Sequence, residues 1–246
     1  MTSIGTPPSS GATSGLPVEA DAAPGHGVGP WEGELPMDAH FDRDLLRDGD
    51  RRNVVDRYRY WRHDAIVADL DARRHPFHVA IENWQHDFNI GSVVRTANAF
   101  LAREVHIVGN RRWNRRGAMV TDRYQHVRHH ATVEGFALWA AGQGLPVIGI
   151  DNLPGSVPLE TYALPRECVL VFGQESVGLS DAVRGAADAT LAIAQYGSTR
   201  SINAGAAAAI AMHEWVRQHG DVAAGHPEVA SSDARDLRPP AQGRGF

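Results

Sequence analysis

The residues of this chain that are able to do chemistry are polar side chains within three glycine-containing runs. The runs are NIGSVVRTANAF at 89–100, VFGQESVGLS at 171–180 and IAQYGSTRSINAG at 193–205. Their polar members are Asn89, Arg95, Glu175, Ser201 and Asn203. The last two runs begin where an apolar, strand-like segment stops, and the first follows such a segment within a few residues. In a parallel sheet these positions converge at one edge, where ligands bind. The pattern therefore predicts a ligand site.

The flanking segments predict the elements that position these residues. Apolar residues at helical spacing predict a helix over 51–73, which Pro76 ends. Short apolar runs predict strands at 78–83, 103–109, 146–151, 167–173 and 189–194. Helices are expected at 91–101, 134–142, 179–186 and 203–219, with Gly220 as a C-cap of the last. Strands that are apolar throughout indicate an α/β fold, a mostly parallel sheet with helices on both faces.

Composition divides the chain into four parts. Residues 1–38 are rich in Gly, Pro, Ser, Thr and Ala and have few large apolar residues, so we expect a disordered leader. We expect residues 39–75 to form a basic helical extension and residues 76–220 to form the main domain. Residues 221–246 resemble the leader in composition and predict a flexible tail.

The cellular setting is predicted from what the sequence lacks. The single cysteine, Cys168, excludes an intrachain disulfide, and its place in an apolar run indicates a buried thiol. No stretch approaches the roughly 20 apolar residues that span a bilayer, and the N-terminus has no secretory signal pattern. We expect a cytoplasmic protein without membrane contact.

Arginine clusters argue for an RNA partner although the net charge is -5. The chain contains no lysine, and its arginines concentrate in two stretches, at 51–74 and 103–128. A solvated face is one interpretation. RNA contact is the other, because Arg binds phosphate and stacks on bases and is interleaved here with aromatic residues. The two interpretations are balanced for the first cluster. RNA contact is favoured for the second, which includes Arg111, Arg112, Arg115 and Arg116.

Other common site patterns are missing or incomplete. The sequence has neither a GxGxxG run opening a helix after a first strand nor a GxxxxGK[ST] loop. His126, His129 and His130 have metal-like spacing, but no nearby Cys or convincing acidic partner accompanies them, so we expect no metal. Asn89 and Ser201 have a simpler interpretation as helix caps.

In order and spacing, the three runs resemble the signature motifs of the SpoU or TrmH family of the SPOUT superfamily, over about residues 76–218. The first motif, NxGxxxRxA, is matched by Asn89, Gly91, Arg95 and Ala97. The second is matched by Gly173, Glu175, Gly178 and Leu179, and the third by Ile193, Gly197, Ser201 and Asn203. The third run departs from the family in two places: Ala194 and Gln195 replace Pro-Met, and Ile202, Ala204 and Gly205 stand in for Leu, Val and Ser around Asn203.

The resemblance implies an enzyme that uses S-adenosylmethionine to methylate a ribose 2′-hydroxyl of tRNA or rRNA, with a deep trefoil knot near the C-terminus and a homodimeric assembly. It assigns Arg95 and Ser201 to catalysis, and Asn89, Glu175 and Asn203 to positioning the substrate and bracing the knot loops. Cofactor contacts fall on Ile150, Gly173, Ile193 and Ile202. The alternative is a SPOUT-fold RNA-binding or assembly protein that does not turn over.

The role of Arg95 follows from its chemistry. A guanidinium has a pKa above about 12 and is nearly always protonated, which makes it a poor base. We therefore expect Arg95 to bind phosphate and to orient or polarise the hydroxyl, with a possible part in passing on its proton.

Overall fold

The computed structural model describes residues 27–85, 89–221 and 224–225. Within them lies a seven-stranded sheet in which every pairing is parallel. The strands are β1 His78–Asn83, β2 Val105–Gly109, β3 Val127–His130, β4 Val147–Ile150, β5 Val157–Pro158, β6 Val169–Phe172 and β7 Ala189–Ala192. Their order across the sheet is β3, β2, β1, β6, β4, β7, β5. The predicted parallel α/β architecture is confirmed.

Helices cover both faces of this sheet, which is why its central strands are apolar on both sides. The helices are α1 Arg43–Asp48, α2 His63–Asp71, α3 Asn89–Ala99, α4 Val133–Gly142, α5 Asp181–Ala186 and α6 Ala204–His219. One core lies between the sheet and α3 and α6. A second core lies on the opposite face, under α4 and α5.

Helix α6 is fastened to the sheet by Trp215, which is fully buried. Its indole Nε1 donates to the carbonyl oxygens of Pro165 and Arg166, at 3.2 Å each. Its ring packs against Phe77 with 4.5 Å between the ring centroids. At the other end of α6, Asn203 is the N-cap. The docked indole therefore holds the helix that presents Asn203 at the carboxyl edge of the sheet.

The predicted helix over 51–73 is wrong in extent, because only a 3₁₀ turn at Asp56–Tyr58 and α2 are helical there. The cause is Asp50, whose side chain is fully buried. Its carboxylate accepts from the backbone N–H groups of Arg52 and Tyr60 at 2.9 Å each, and it pairs with the Arg52 guanidinium at 2.7 Å. Tyr60 takes a left-handed φ of 62°. These bonds hold residues 50–60 as a loop.

The structure describes the two predicted flexible ends of the chain only in part. Residues 1–26 of the predicted leader lie outside the described residues, and residues 27–38 are mostly exposed but are joined to the fold through Val28 and Trp31. Val28 exchanges two backbone hydrogen bonds with Asp50, and Trp31 N–H donates to the Leu46 carbonyl. The predicted tail is described only at 221 and 224–225. Among the described residues, no helix is long and apolar enough to cross a membrane.

Helix α1 and strands β3 and β5 were not predicted. Strand β3 lies at the edge of the sheet in the arginine-rich segment, where Val127 and Arg128 are exposed, so it has no apolar run to mark it. Strand β5 is two residues long and carries a proline, which fits the opposite edge.

We predict that Trp215→Ala lowers the free energy of unfolding by about 3–5 kcal/mol, because it removes a fully buried indole and leaves two carbonyl oxygens without their donor. Urea denaturation followed by circular dichroism measures this. Ile210→Ala is the control on the same helix, since that side chain is 42% exposed and should cost less than about 1 kcal/mol. Equal losses for the two variants would contradict the role given to Trp215.

Candidate functional site

The three polar runs meet at the carboxyl edge of the sheet. The first forms the whole of α3, the second connects β6 to α5, and the third connects β7 to α6. Because all strands run the same way, the segments that follow them emerge at this one edge. The predicted convergence is what the folded chain shows.

Three side chains, one from each run, form a hydrogen-bonded junction. The Asn89 amide Nδ2 donates to Glu175 Oε2 at 2.8 Å. The Asn203 amide Nδ2 donates to Asn89 Oδ1 at 2.9 Å and to Glu175 Oε1 at 3.0 Å. Both oxygens of the carboxylate thus accept from an amide, and residues far apart in sequence are tied together. We call Asn89, Glu175 and Asn203 the junction.

Asn203 also begins helix α6. Its Oδ1 accepts from the backbone N–H groups of Gly205 and Ala206 at 2.9 and 3.2 Å. A Cβ added at Gly205 would come within 3.1 Å of that Oδ1 and 3.5 Å of Ser92 Cβ on α3. A larger residue at 205 would therefore crowd the cap oxygen of Asn203, and the N-terminal ends of α3 and α6 lie close together beside the junction.

Arg95 and Ser201 lie outside the junction and face solvent. Arg95 is exposed on α3, six residues after Asn89, and Ser201 is exposed two residues before Asn203. Within the described part of the chain, neither side chain makes a hydrogen bond or ion pair. Both polar groups are therefore open to a bound substrate.

The second run is folded tightly around its two glycines. Gln174 and Gly178 exchange backbone hydrogen bonds of 3.0 and 2.8 Å. A Cβ at Gly173 would lie 2.0 Å from the Gly178 carbonyl carbon. Gly178 has a φ of +70°, and a Cβ there would lie 2.3 Å from Asp151 Oδ2. Larger residues at either position would force this loop apart.

Two carboxylates that sequence reasoning missed secure the end of the same loop. Asp151 Oδ2, just after β4, accepts from the Leu179 N–H at 2.8 Å. Glu82 is fully buried in β1 and accepts from the Ser180 N–H and from Trp84 Nε1, each at 2.8 Å. The signal was an acidic residue at the end of an otherwise apolar run, in HVAIEN and PVIGID.

The residues predicted to contact a cofactor lie at three neighbouring strand ends. Ile150 ends β4, Gly173 follows β6 and Ile193 follows β7, and β4 pairs with both of the other strands. Ile202 is half-buried immediately before Asn203. The structure brings the first three together at the edge that carries the junction.

The loop of the third run is held from the side of β4 and β5. The Ala194 N–H donates to Glu160 Oε1 at 2.9 Å, and Asn152 Nδ2 donates to the Arg200 carbonyl at 3.2 Å. Tyr196 at the tip of this loop is 97% exposed. The loop is therefore anchored at both ends and open at its tip.

The second arginine cluster adjoins the junction. Arg111, Arg112, Arg115 and Arg116 are all exposed in the segment that follows β2. This segment packs on α3 through glycine: a Cβ at Gly91 would lie 2.7 Å from the Ala118 nitrogen, and one at Gly117 would lie 2.9 Å from the Ser92 nitrogen. The close contact places a cationic surface beside the N-terminal end of α3.

The first arginine cluster is largely engaged within the fold, which favours its structural interpretation. Its ion pairs join Arg52 to Asp50, Arg57 and Arg73 to Asp69, Arg62 to Asp64, and Arg74 to Asp71. Arg74 is 2% exposed and also donates to the Tyr124 carbonyl at 2.7 Å. The ion pairs lie within the N-terminal segment, and the bond from Arg74 to the Tyr124 carbonyl joins this segment to the main domain.

The strongly shifted pKa values belong to groups away from the junction. Burial raises the pKa of the Cys168 thiol to about 12, which agrees with the prediction of an inert buried thiol. Burial lowers the pKa of His106 to about 2 and that of His78 to about 4, so both rings are neutral at pH 7.

Comparison with known proteins agrees with the motif assignment. Residues 76–213 match the SpoU rRNA Methylase family. The chain is 27% identical over 158 residues to tRNA (guanosine(18)-2′-O)-methyltransferase of Escherichia coli strain K12, across 63% of this chain and 69% of that protein. It is 32% identical over 142 residues to tRNA (cytidine(34)-2′-O)-methyltransferase of Ancylobacter novellus, across 55% of this chain and 88% of that protein.

A solved structure supports the same relationship. The SpoU methyltransferase AviRb from Streptomyces viridochromogenes, in complex with the cofactor AdoMet, is similar with a TM-score of 0.53 and 25% identity. The similarity covers 61% of this chain and 60% of the AviRb chain, so the match spans less than two thirds of that protein's length. The family match spans more than half of the 246 residues and contains all three runs. The chain belongs to the SpoU rRNA Methylase family.

Proposed function

We propose that this protein transfers a methyl group from S-adenosylmethionine to a ribose 2′-hydroxyl of a tRNA or rRNA. The observation that carries the proposal is the junction of Asn89, Glu175 and Asn203, with Arg95 and Ser201 open to solvent in the same runs. The relatives named as tRNA 2′-O-methyltransferases and the AdoMet complex of AviRb support it.

The residues suit a reaction that depends on alignment. A ribose hydroxyl is a weak nucleophile, whereas the sulfonium of the cofactor supplies an already activated methyl group, so the protein has to orient the hydroxyl and help its proton leave. Arg95, which stays protonated, binds a phosphate of the RNA and orients the hydroxyl. Ser201 lies near the N-terminal end of α6, where it assists phosphate binding.

The junction residues act as positioning groups. Asn89, Glu175 and Asn203 are hydrogen-bonded to one another, so they hold the three runs in a fixed arrangement. They fix the positions of Arg95 and Ser201 relative to the carboxyl ends of the strands.

The neighbouring strand ends fit the proposed cofactor. The proposed apolar contacts of the adenine ring are Ile150, which is buried, and Ile193 and Ile202, which are half-buried. Gly173 has no side chain and lies in a tight turn, so a cofactor at this position would meet backbone and not a charged side chain. Adenine bound through apolar contact and backbone hydrogen bonds requires no charged fingerprint in the sequence.

We also propose the knot, the homodimer and a cytoplasmic location that the family resemblance implies. Support for a knotted path comes from the sheet order, in which β4 lies between the later strands β6 and β7, and from the hydrogen bond between Asn152 and the Arg200 carbonyl. A homodimer would give the exposed Arg95 a second subunit's site to enter.

The reaction is tested with S-adenosylmethionine carrying a labelled methyl group and unmodified tRNA and rRNA transcripts. Nuclease digestion and mass spectrometry then locate the label. A label on ribose supports the proposal. A label on a base, or none on any transcript despite cofactor and RNA binding, refutes it and favours an RNA-binding protein without turnover.

We predict that Arg95→Ala lowers kcat for methyl transfer by at least about 100-fold, because the group that orients the hydroxyl is lost. The Kd for S-adenosylmethionine, measured by calorimetry, should stay within about twofold. Arg217→Ala is the matched control, since that exposed arginine pairs with Glu214 near the C-terminal end of α6. A variant that changes RNA affinity but leaves kcat intact would remove Arg95 from the reaction.

We predict that Gly173→Ala weakens S-adenosylmethionine binding at least tenfold, because the added Cβ would meet the Gly178 backbone at 2.0 Å and open the loop. Gly185→Ala on α5 is the control, as a Cβ there meets nothing within 4 Å. Calorimetry on both variants, with unfolding curves to confirm that each is folded, gives the comparison. Unchanged binding in folded Gly173→Ala would place the cofactor elsewhere.

We predict that Arg111→Ala and Arg116→Ala weaken RNA binding and that each makes the slope of log K against log salt concentration shallower by about 0.7–0.9. The reason is the loss of one phosphate contact per arginine. Filter binding over a salt series measures the slope, with Arg217→Ala as reference. Slopes equal to that of the unsubstituted protein would assign RNA binding to another surface.

A further inference from the structure

The opposite, amino-terminal side of the sheet carries a second cluster of chemically active side chains that the proposed reaction does not use. It consists of His78 on β1, His106 on β2 and Glu104 just before β2. One nitrogen or oxygen atom from each lies within 4.8 Å of the others. The cluster is independent of the three runs.

Two separations between these atoms are close to those of a metal site. His78 Nδ1 lies 3.0 Å from His106 Nε2, and Glu104 Oε2 lies 3.7 Å from the same nitrogen. In a tetrahedral zinc site, bond lengths near 2.1 Å place neighbouring ligand atoms about 3.4 Å apart. We propose that His78, His106 and Glu104 bind a divalent transition metal ion of the zinc class.

Further side chains orient these ligands. His106 Nδ1 lies 3.0 Å from His130 Nε2; when Nδ1–H donates to His130, the lone pair of His106 Nε2 points to the proposed ion. Arg128 Nε donates to Glu104 Oε1 at 2.9 Å, which leaves Oε2 for the ion. Hydrogen bonds from the far side of a ligand are the usual support of protein metal sites.

The site opens on one side to a cleft of about 690 Å³. His78 and Glu104 line it, together with Trp139, Gln143 and Glu167. His106 is closed off from solvent and packs against Trp139 with ring centroids 4.1 Å apart. Three protein ligands and an open side leave a fourth position for water or an exogenous ligand, the arrangement of a zinc site that is not purely structural.

His126, His129 and His130, whose sequence spacing resembles that of metal ligands, are not the proposed ligands. His126 pairs with Asp71 at 2.8 Å, and His129 Nε2 lies 2.7 Å from the Gly109 carbonyl oxygen. Of that trio, His130 alone adjoins the cluster, behind His106. The proposed ligands lie on or just before two neighbouring parallel strands. Their spacing in the sequence does not reveal that they are close together in the fold.

The test uses the full chain without an affinity tag, stripped of metal and titrated with Co²⁺ and then Zn²⁺. We expect one equivalent of Co²⁺ to produce the visible absorption bands of four-coordinate cobalt and Zn²⁺ to abolish them. His78→Gln and Glu104→Gln should each weaken Zn²⁺ binding at least tenfold. These half-buried positions are chosen because His106 is fully buried, and its substitution risks unfolding the sheet.

His126→Gln is the matched control, because His126 lines the same cleft but bonds to Asp71. It should bind Zn²⁺ like the unsubstituted protein, and so should Arg95→Ala. Circular dichroism confirms that each variant is folded. The proposal is overturned if the unsubstituted protein binds no Zn²⁺, if the cobalt spectrum is that of a six-coordinate ion, or if folded His78→Gln and Glu104→Gln retain full affinity.

Discussion

The side-chain amide of Asn203 is the group on which the rest of the candidate site depends. Its oxygen accepts from the first N–H groups of α6, and its nitrogen donates to Asn89 and Glu175. One planar group thus begins a helix and joins three loops. An aspartate would keep the cap but lose the donor, and it would set a second carboxylate against Glu175. Both ends of the amide are therefore needed.

Sequence patterns predicted the parts of the fold whose signal is local. Strands β1, β2, β4, β6 and β7 are apolar runs, and α3 and α6 follow them closely, so both sheet and site edge were predictable. Residues 50–60 were not, because their loop depends on Asp50 being buried with Arg52 and beneath Tyr60. Helical spacing in that segment is real, but tertiary hydrogen bonds to one carboxylate outweigh it.

The residues of the candidate site also fall into those that local sequence patterns predicted and those that depend on the folded chain. Asn89, Glu175 and Asn203 were found because each stands in a motif, although their mutual hydrogen bonds are a property of the folded chain. Glu82 and Asp151 were not predicted, because an acidic residue at the end of a strand is common. The role of such a carboxylate depends on which backbone N–H group the fold places beside it. The proposed metal ligands on or beside β1 and β2 were not predicted either, because only the pairing of these strands brings them together.

Strand β2 lies between the proposed metal site, which is near its amino end, and the arginine segment, which follows its carboxyl end. The arginine segment leaves the carboxyl end of β2 and returns to the amino end of β3, an edge strand with exposed side chains. On that face β3 is held by its pairing with β2 and by the contact of His130 with His106. His78 and Glu82 are four residues apart on β1, about 13 Å, so the proposed ion and the loop that Glu82 secures lie at opposite ends of one strand. An ion at the proposed site would therefore act on the arginine segment by way of β3, the strand that follows this segment and contacts His106 through His130.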